Sequence, residues 1–288
     1  MVERYARRYG FDLGVVYDNL GEMLDKTKPD GVVAFNSIYG HLEVVEACAP
    51  RGIHVMVEKP LAVNSEHARR MAELAREHNT LVLTNYETTW YPTYLRAFEM
   101  AVIEGSLGQL RKILINNGHK GPREIRVNEE FLEWLTDPVL NGGGAIMDFG
   151  CYGANIAAWL MQNERPLAVF AVLQQFKPDV YPEVDDEATI VLTYPDTQVI
   201  VQASWNWPIN RKDIEIYGVT GYIKAPNYTD LFWRLSEREQ TQSARLTPEG
   251  ALHSAPFYYF AAVIRGDITV RVSKQCRRPK YPGSTSHR

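Results

Sequence analysis

The stretch Val55-Met56-Val57-Glu58-Lys59-Pro60-Leu61-Ala62 decides how the first third of the chain folds. A short apolar run stops at a lysine that is followed by proline. Pro60 has no backbone donor and restricts Lys59 to extended conformations, so the run is predicted to be a strand that ends here. Lys59 would then stand at the carboxyl end of a parallel strand, the edge at which open α/β sheets bind ligands. A solvated lysine in a turn is the alternative interpretation.

Short apolar runs alternate with helix-period segments on both sides of this stretch, through the first 85 residues. This alternation is typical of a parallel α/β layer. The run Val32-Val33-Ala34-Phe35 has no polar alternation, as expected for a strand that helices cover on both faces. The predicted strands are residues 15–17, 31–35, 54–58 and 81–85.

After Gly108 the pattern changes to strands that alternate apolar and polar residues. The turn chemistry of Tyr194-Pro195-Asp196-Thr197 predicts a hairpin between two of these strands. The predicted elements are strands 110–116, 167–176, 187–194, 198–205 and 211–217, with one long helix over 147–161. We therefore predict an α/β parallel sheet followed by an α+β domain, in which a mostly antiparallel, open sheet carries helices on one face.

The glycine run Gly142-Gly143-Gly144 opens a second candidate motif. Glycine lets the backbone come close to a ligand or to a neighbouring element. On the predicted helix that follows, Asp148 and Tyr152 are four residues apart and Asn155 is three further, so the three share one face. Such a polar stripe is costly in a core, and the alternative is a capped helix start with an exposed polar stripe.

Length and composition exclude several classes of protein. The 288 residues suit two domains, and 45% hydrophobic with 23% charged residues is ordinary for a globular chain. The net charge of −4 lacks the basic field that nucleic acids attract, and no apolar stretch approaches the roughly 20 residues of a bilayer span. We expect no nucleic-acid or membrane partner and a cytoplasmic location, since the charged N-terminus is not a secretory signal. Three cysteines and seven histidines lack metal-ligand spacing, so no metal is expected.

Glu58-Lys59-Pro60 and the element from Gly142 to Asn155, in this order, resemble the glucose–fructose oxidoreductase, inositol dehydrogenase and rhizopine-catabolism (Gfo/Idh/MocA) family. The resemblance runs from residue 1 to about residue 271 and includes residues 32–41 and 104–110. It implies a Rossmann-type parallel sheet that binds NAD or NADP. It also implies hydride transfer between the nicotinamide and a sugar, a polyol or a related alcohol.

The resemblance also implies roles for individual residues. Lys59, Tyr152 and Asp148 match catalytic positions, with Tyr152 as the acid/base residue in a place where many relatives have histidine. A free phenol titrates near 10, so Tyr152 would need a nearby cation such as Lys59 to act near neutral pH. Tyr152 together with Asn155 is more similar to the glucose–fructose oxidoreductase, xylose dehydrogenase and dihydrodiol dehydrogenase branches than to the inositol branch. The cofactor-binding positions would be Asn36, Ser37, Ile38, His41, Glu58, Lys59 and Asn85, and the substrate-binding positions Asn155, Trp90 and His119.

The sequence departs from the family pattern because no G-x-G-x-x-G occurs in the 288 residues. That fingerprint normally follows the first strand and cradles the cofactor pyrophosphate. We therefore expect an N-terminally truncated chain of doubtful activity, whose first β-α-β segment is missing and whose strand 31–35 is an apolar, unpaired edge. The expected domains are a partial dinucleotide-binding domain over 1–88, a substrate-binding and oligomerisation domain over 89–271, and a disordered basic tail over 272–288.

Two other functions stay open at this point: an NAD-retaining glycoside hydrolase on the same fold, and a catalytically silent binding relative. The choice between NAD and NADP and the identity of the sugar-like substrate stay open as well. The resemblance also suggests a homo-oligomer assembled through the second-domain sheet, since an open sheet with an apolar outer face needs a partner.

Overall fold

Three parallel strands form the first sheet of this computed structural model, which describes residues 2–247 and 256–268. Strands β1 (Gly31–Ala34), β2 (His54–Glu58) and β3 (Val82–Asn85) lie in the order β1-β2-β3. The helices of this part are α1 (Val2–Tyr9), α2 (Leu20–Thr27), α3 (His41–Cys48) and α4 (Ser65–Glu77). The Asn64 side chain accepts from the His67 N–H and so caps α4, as the sequence predicts. Leu24, Val45, Val57 and Met71 meet in the core of this layer.

The predicted strand over residues 15–17 is wrong. Leu13–Val15 forms a turn of 3₁₀-helix, and Val16 is extended at φ −94° and ψ 133° without a strand beside it. An extended segment becomes a strand only when a neighbour takes up its backbone hydrogen bonds, and within the described residues β1 pairs with β2 alone. Helix α9 (Pro256–Ile264) packs closely against β1: a Cβ atom added to Gly31 would lie 2.6 Å from Ile264 Cδ1.

An eight-stranded sheet forms from the second half of the described chain. Its order is β11-β10-β9-β8-β4-β7-β6-β5, and every neighbouring pair is antiparallel except β4 with β7. Tyr194 N donates to Thr197 O at 2.8 Å, which confirms the predicted hairpin. The strands are β4 (Leu110–Gly118), β5 (Ala168–Gln174), β6 (Glu187–Thr193), β7 (Gln198–Ser204), β8 (Arg211–Gly218), β9 (Tyr222–Ala225), β10 (Asp230–Arg234) and β11 (Gln242–Arg245). The last three were not predicted, since they are short and weakly patterned.

The helices of this part cover one face of the large sheet. They are α5 (Pro92–Phe98), α6 (Glu129–Leu135), α7 (Ala145–Asp148) and α8 (Gly150–Leu160). Helix α8 packs on β4 and β7, where Ile113, Ile115, Val199 and Val201 are buried. The single helix predicted over 147–161 is wrong, because the chain breaks at Phe149 (φ −112°, ψ −33°) into α7 and α8.

Within residues 2–247 and 256–268, no helix has the length and apolar character that crossing a membrane requires. The basic tail expected over 272–288 lies outside the described residues. The domain limits 1–88 and 89–271 stay predictions, although the two sheets fall on either side of residue 88.

Candidate functional site

The end of β2 and the end of α7 meet through an ion pair. The Lys59 ammonium donates to the Asp148 carboxylate and, at 3.1 Å, to the Asp148 carbonyl oxygen. Trp205 Nε1 donates to the second carboxylate oxygen of Asp148 at 2.9 Å. Burial alone would raise the pKa of Asp148, but the charge and hydrogen bond of Lys59 outweigh it and hold this pKa below its usual value. Asp148 therefore stays ionised beside Lys59, whose pKa its charge raises against the opposing effect of burial.

The glycine run lets α7 start close to two other segments. The N–H groups of Gly144 and Ile146 donate to the Asp185 carboxylate at 2.9 and 2.7 Å. A Cβ atom on Gly144 would lie 1.8 Å from the Asp185 carbonyl oxygen, and one on Gly142, at φ +83°, would lie 2.8 Å from Val63 O. The run therefore serves the close approach of neighbouring backbone, the second of the two interpretations that the sequence allows.

Tyr152 lies on α8, four residues after Asp148, and is buried, with 4% of its surface exposed. Its ring centroid is 5.4 Å from Lys59 Nζ and 4.8 Å from Lys212 Nζ. Its hydroxyl has no hydrogen-bond partner within the described residues, which leaves it available to a bound molecule. Burial, followed by the charges of Cys151 and Asp148, raises the pKa of Tyr152, so the expectation that Lys59 brings this pKa toward neutral is wrong. Lys59 is already engaged by Asp148, and Tyr152 is a protonated phenol.

Glu58, Asn85 and Trp90 form a chain of hydrogen bonds at the carboxyl edge of the parallel sheet. Asn85 Nδ2 donates to Glu58 Oε1 at 2.6 Å, and Trp90 Nε1 donates to Asn85 Oδ1 at 3.1 Å. Glu58 faces Asn85 in the register of β2 and β3, and its other carboxylate oxygen accepts from the Lys59 N–H at 3.3 Å. The structure thus brings together four of the residues that the sequence selects.

The loop after β1 contains residues with different surroundings. Asn36 is exposed and Ser37 half-buried, whereas Ile38 is buried. His41 is fully buried, with Nδ1 placed 3.2 Å from Leu61 O and Nε2 without a partner among the described residues. His41 therefore fixes the loop that follows Lys59, and burial lowers its pKa.

His119 and Asn155 lie on the second domain. The His119 ring stands edge-on to Phe149 at 4.8 Å between centroids, and its Nδ1 accepts from the Gly121 N–H at 2.9 Å. Burial lowers the pKa of His119. Asn155 is half-buried on α8, and its side chain makes no hydrogen bond within the described part of the chain. In that same part, no three His, Cys, Asp or Glu side chains are placed to hold a metal ion.

The sequence analysis did not select Lys212, a third charged side chain close to Tyr152. Side chains alternate along a strand, so Lys212 shares a face of β8 with Ile214 and Ile216, both buried. A lysine at a core-facing position is a signal that could have found it, because a buried ammonium needs a partner. That partner is Glu87, whose carboxylate accepts from Lys212 Nζ.

Two family models match the chain. The one described as "Oxidoreductase family, NAD-binding Rossmann fold" covers residues 2–86, and the one described as "GFO/IDH/MocA C-terminal domain" covers residues 95–224. A trans-1,2-dihydrobenzene-1,2-diol dehydrogenase of Xenopus laevis is 26% identical over 188 residues, 65% of this chain and 53% of that protein. The D-xylose 1-dehydrogenase [NADP(+)] of Haloarcula marismortui is 26% identical over 185 residues, 64% of this chain and 50% of that protein. The chain spans about half the length of these curated relatives.

Solved structures share the fold. An inositol dehydrogenase homolog of Azotobacter vinelandii complexed with NAD+ has a TM-score of 0.80 at 20% identity, over 92% of this chain and 76% of that chain. An aldose-aldose oxidoreductase of Caulobacter crescentus complexed with glycerol has a TM-score of 0.77 at 22% identity, over 92% of this chain and 78% of that chain. The predicted fold class is confirmed: a Rossmann-type parallel sheet followed by an α+β domain with a mostly antiparallel sheet.

The free energy of unfolding should fall as the pH goes from 7 to 5. Burial lowers the pKa of His41 in the folded chain, so below its ordinary value of 6.5 the unfolded chain binds more protons and folding loses stability. The slope for one such histidine is at most about 1.4 kcal/mol per pH unit, and His119 adds to it with the same sign. His41→Asn keeps an amide donor for Leu61 O and does not titrate, so it should flatten the dependence.

Urea unfolding at pH 7, 6 and 5 measures this effect in the wild type, His41→Asn, His119→Gln and the double variant. The double variant should be flattest. A wild type whose unfolding free energy is unchanged over this range, or a double variant with the full wild-type slope, would contradict the assignment.

Proposed function

The chain belongs to the GFO/IDH/MocA oxidoreductase family, and on that premise we propose that it is an NAD(P)-dependent oxidoreductase acting on a sugar, a polyol or a related alcohol. The observation that carries the proposal is the meeting of Lys59, Asp148 and Tyr152. Lys59 comes from the carboxyl end of a parallel strand, where such sheets bind ligands, and Tyr152 from the domain that packs against it. A cofactor on one side and an alcohol on the other would both reach this point.

The donor set at the sheet edge fits the nicotinamide half of a dinucleotide. Asn36, Ser37 and Asn85 offer amide and hydroxyl groups, and Lys59 offers one ammonium, which suit ribose hydroxyls and a carboxamide. The bound nicotinamide would supply or accept the hydride. The G-x-G-x-x-G that usually holds the pyrophosphate does not occur in the sequence. Asn36, Ser37, Lys59 and Asn85 would therefore contact the nicotinamide half of the cofactor alone.

Tyr152 is the proposed proton donor and acceptor. As a protonated phenol it would give its proton to the carbonyl oxygen when a ketone or lactone carbon accepts hydride, and it would take that proton back when the alcohol is oxidised. Asp148 would hold Lys59 at the site, and Lys59 would orient the reacting oxygen. The names of the matched relatives, a diol dehydrogenase and a xylose dehydrogenase, support an alcohol of this kind as substrate.

Purified chain incubated with NAD or NADP and a panel of aldoses and polyols should form the reduced cofactor, followed by absorbance at 340 nm. Tyr152→Phe should lower kcat by about 10²-fold or more, the usual contribution of a positioned acid/base group. Lys59→Met should lower kcat/KM at least as much. Tyr94→Phe is the matched control, since the Tyr94 hydroxyl is buried in the core without a partner among the described residues.

Wild-type activity that Tyr152→Phe leaves intact would refute the role of Tyr152. Release of a sugar from a glycoside without net formation of reduced cofactor would favour the NAD-retaining glycoside hydrolase. Folded chain that binds cofactor or sugar but forms no reduced cofactor would favour the catalytically silent binding relative.

We also propose that a second copy of this chain packs on the open face of the large sheet. Every residue of β5 is exposed, and residues 167–173 carry no charge. Phe170 and Val172 point away from the helices, as do Val191 of β6 and Ile200 of β7, by the alternation and register of these strands. An uncharged surface of this kind is best covered by a copy of itself.

Phe170→Asp should convert the oligomer to monomer, because it places a carboxylate in the middle of the proposed contact. Size-exclusion chromatography with light scattering over a concentration series measures the change. Val139→Asp is the control, an equally exposed apolar residue in a loop away from the sheet. A wild type that is monomeric at every concentration would contradict the proposal.

A further inference from the structure

Lys212 places a second ammonium group against Tyr152. Its Nζ lies 4.8 Å from the centroid of the Tyr152 ring, closer than Lys59 Nζ at 5.4 Å. The Lys212 side chain is 22% exposed, so most of it is removed from water. An ammonium at this distance is attracted by the ring, and more strongly where water is excluded.

The position of Lys212 is fixed by hydrogen bonds to residues that are not among the proposed catalytic residues. Its ammonium donates to one oxygen of the Glu87 carboxylate, and the other oxygen accepts from the Tyr91 hydroxyl at 2.6 Å. Burial works against ionisation of Glu87, but the hydrogen bond and charge of Lys212 outweigh it and lower the pKa of Glu87. Glu87 is therefore ionised where it accepts from Lys212.

The two lysines beside Tyr152 differ in how far their charge is compensated. The charge of Lys59 is opposed at hydrogen-bond distance by Asp148, whose side chain is 8% exposed and little screened by water. The charge of Lys212 is opposed by Glu87, whose side chain is 55% exposed and screened by solvent. Both lysines are thus paired with a carboxylate, and the ammonium of Lys212 is the nearer of the two to the ring.

Apart from the two lysines, the titratable groups around Tyr152 are of two kinds. The carboxylates disfavour a negative charge on the phenol oxygen, and the other groups are neutral. Asp148 is on the helix before it, Glu87 and Tyr86 follow β3, and Glu58 ends β2. The full set is Lys59, Glu58, Tyr86, Glu87, Asp148, Cys151 and Lys212, with His119 against the neighbouring Phe149. Only the two lysines in this set oppose the carboxylates.

We infer that Lys212 is a positioning residue for the proton step: held by Glu87, its ammonium orients the Tyr152 ring and stabilises the negative charge on the phenol oxygen once its proton has left. The inference rests on the proposed function for its place in a reaction. When Tyr152 gives its proton to a carbonyl oxygen, the O–H bond breaks and the phenolate keeps the electron pair. The ammonium of Lys212 is the nearer of the two cations to the ring that bears this charge, and Lys212 itself neither gives nor takes a proton.

A titration that needs neither cofactor nor substrate tests this inference. A trifluorotyrosine placed at position 152 of the full chain has a phenol several units more acidic than tyrosine, and ¹⁹F NMR against pH reads its ionisation directly. Lys212→Gln should raise the measured pKa by about one unit or more, because a cation within a few ångströms is lost. Glu87→Gln should shift it in the opposite direction, since the negative charge is lost while the amide oxygen still accepts from Lys212 Nζ. Lys212→Arg should keep it close to wild type, and so should Lys26→Gln, a surface control on α2.

Lys212→Gln and Glu87→Gln are expected to shift the pKa at position 152 in opposite directions. This difference separates an electrostatic role of Lys212 from a structural one. No shift in Lys212→Gln, or shifts of the same sign in Lys212→Gln and Glu87→Gln, would overturn the inference. If Lys212→Gln does not fold, Glu87→Gln still decides it, because an unchanged or raised pKa in that variant contradicts the proposed pairing. Failure to form reduced cofactor in the wild type would refute the proposed function and would leave the titration result standing.

Discussion

The ion pair between Lys59 and Asp148 is the interaction on which the arrangement of the site depends. It joins the end of a parallel strand to the end of a short helix in the second domain, across 89 positions of sequence. Both side chains are largely removed from water, so each charge would be costly without the other. The pair thereby fixes where the two domains meet and places one lysine beside the Tyr152 ring.

Several otherwise unusual features of the chain serve this pair. The carbonyl of Leu61 is held by a buried histidine, which fixes the loop that carries Lys59. The glycine run allows α7 to begin against Asp185, whose carboxylate accepts from two of its first N–H groups. Trp205 completes the hydrogen bonding of Asp148 from the end of β7. Each device orients a charged group, which a packed apolar core could not do by itself.

The sequence predicted well those features that depend on local pattern. An apolar run and the proline after it predict strand β2 and its end at the lysine. The turn residues predict the hairpin between β6 and β7. Residues 15–17 have strand-like sequence but no neighbour to pair with in the part of the chain that the structure describes, and pairing is a property of the whole sheet. Alternation along β8 marks Lys212 as a core-facing lysine, but its nearness to Tyr152 arises from the register of β8 with β4, which sets it opposite Asn117. The pKa of Tyr152 depends on burial, and spacing along a helix carries little information on burial.

A double-mutant cycle on Lys59 and Asp148 measures the free energy with which the two groups interact. The free energies of unfolding of Lys59→Met, Asp148→Asn and the double variant would be measured by urea denaturation at pH 7. Each single change should destabilise the chain by about 3 kcal/mol, because it leaves one buried charge without its partner. The double variant should lose far less than the sum of the two. Additivity within about 0.5 kcal/mol would show that the two groups do not interact, and would contradict the account.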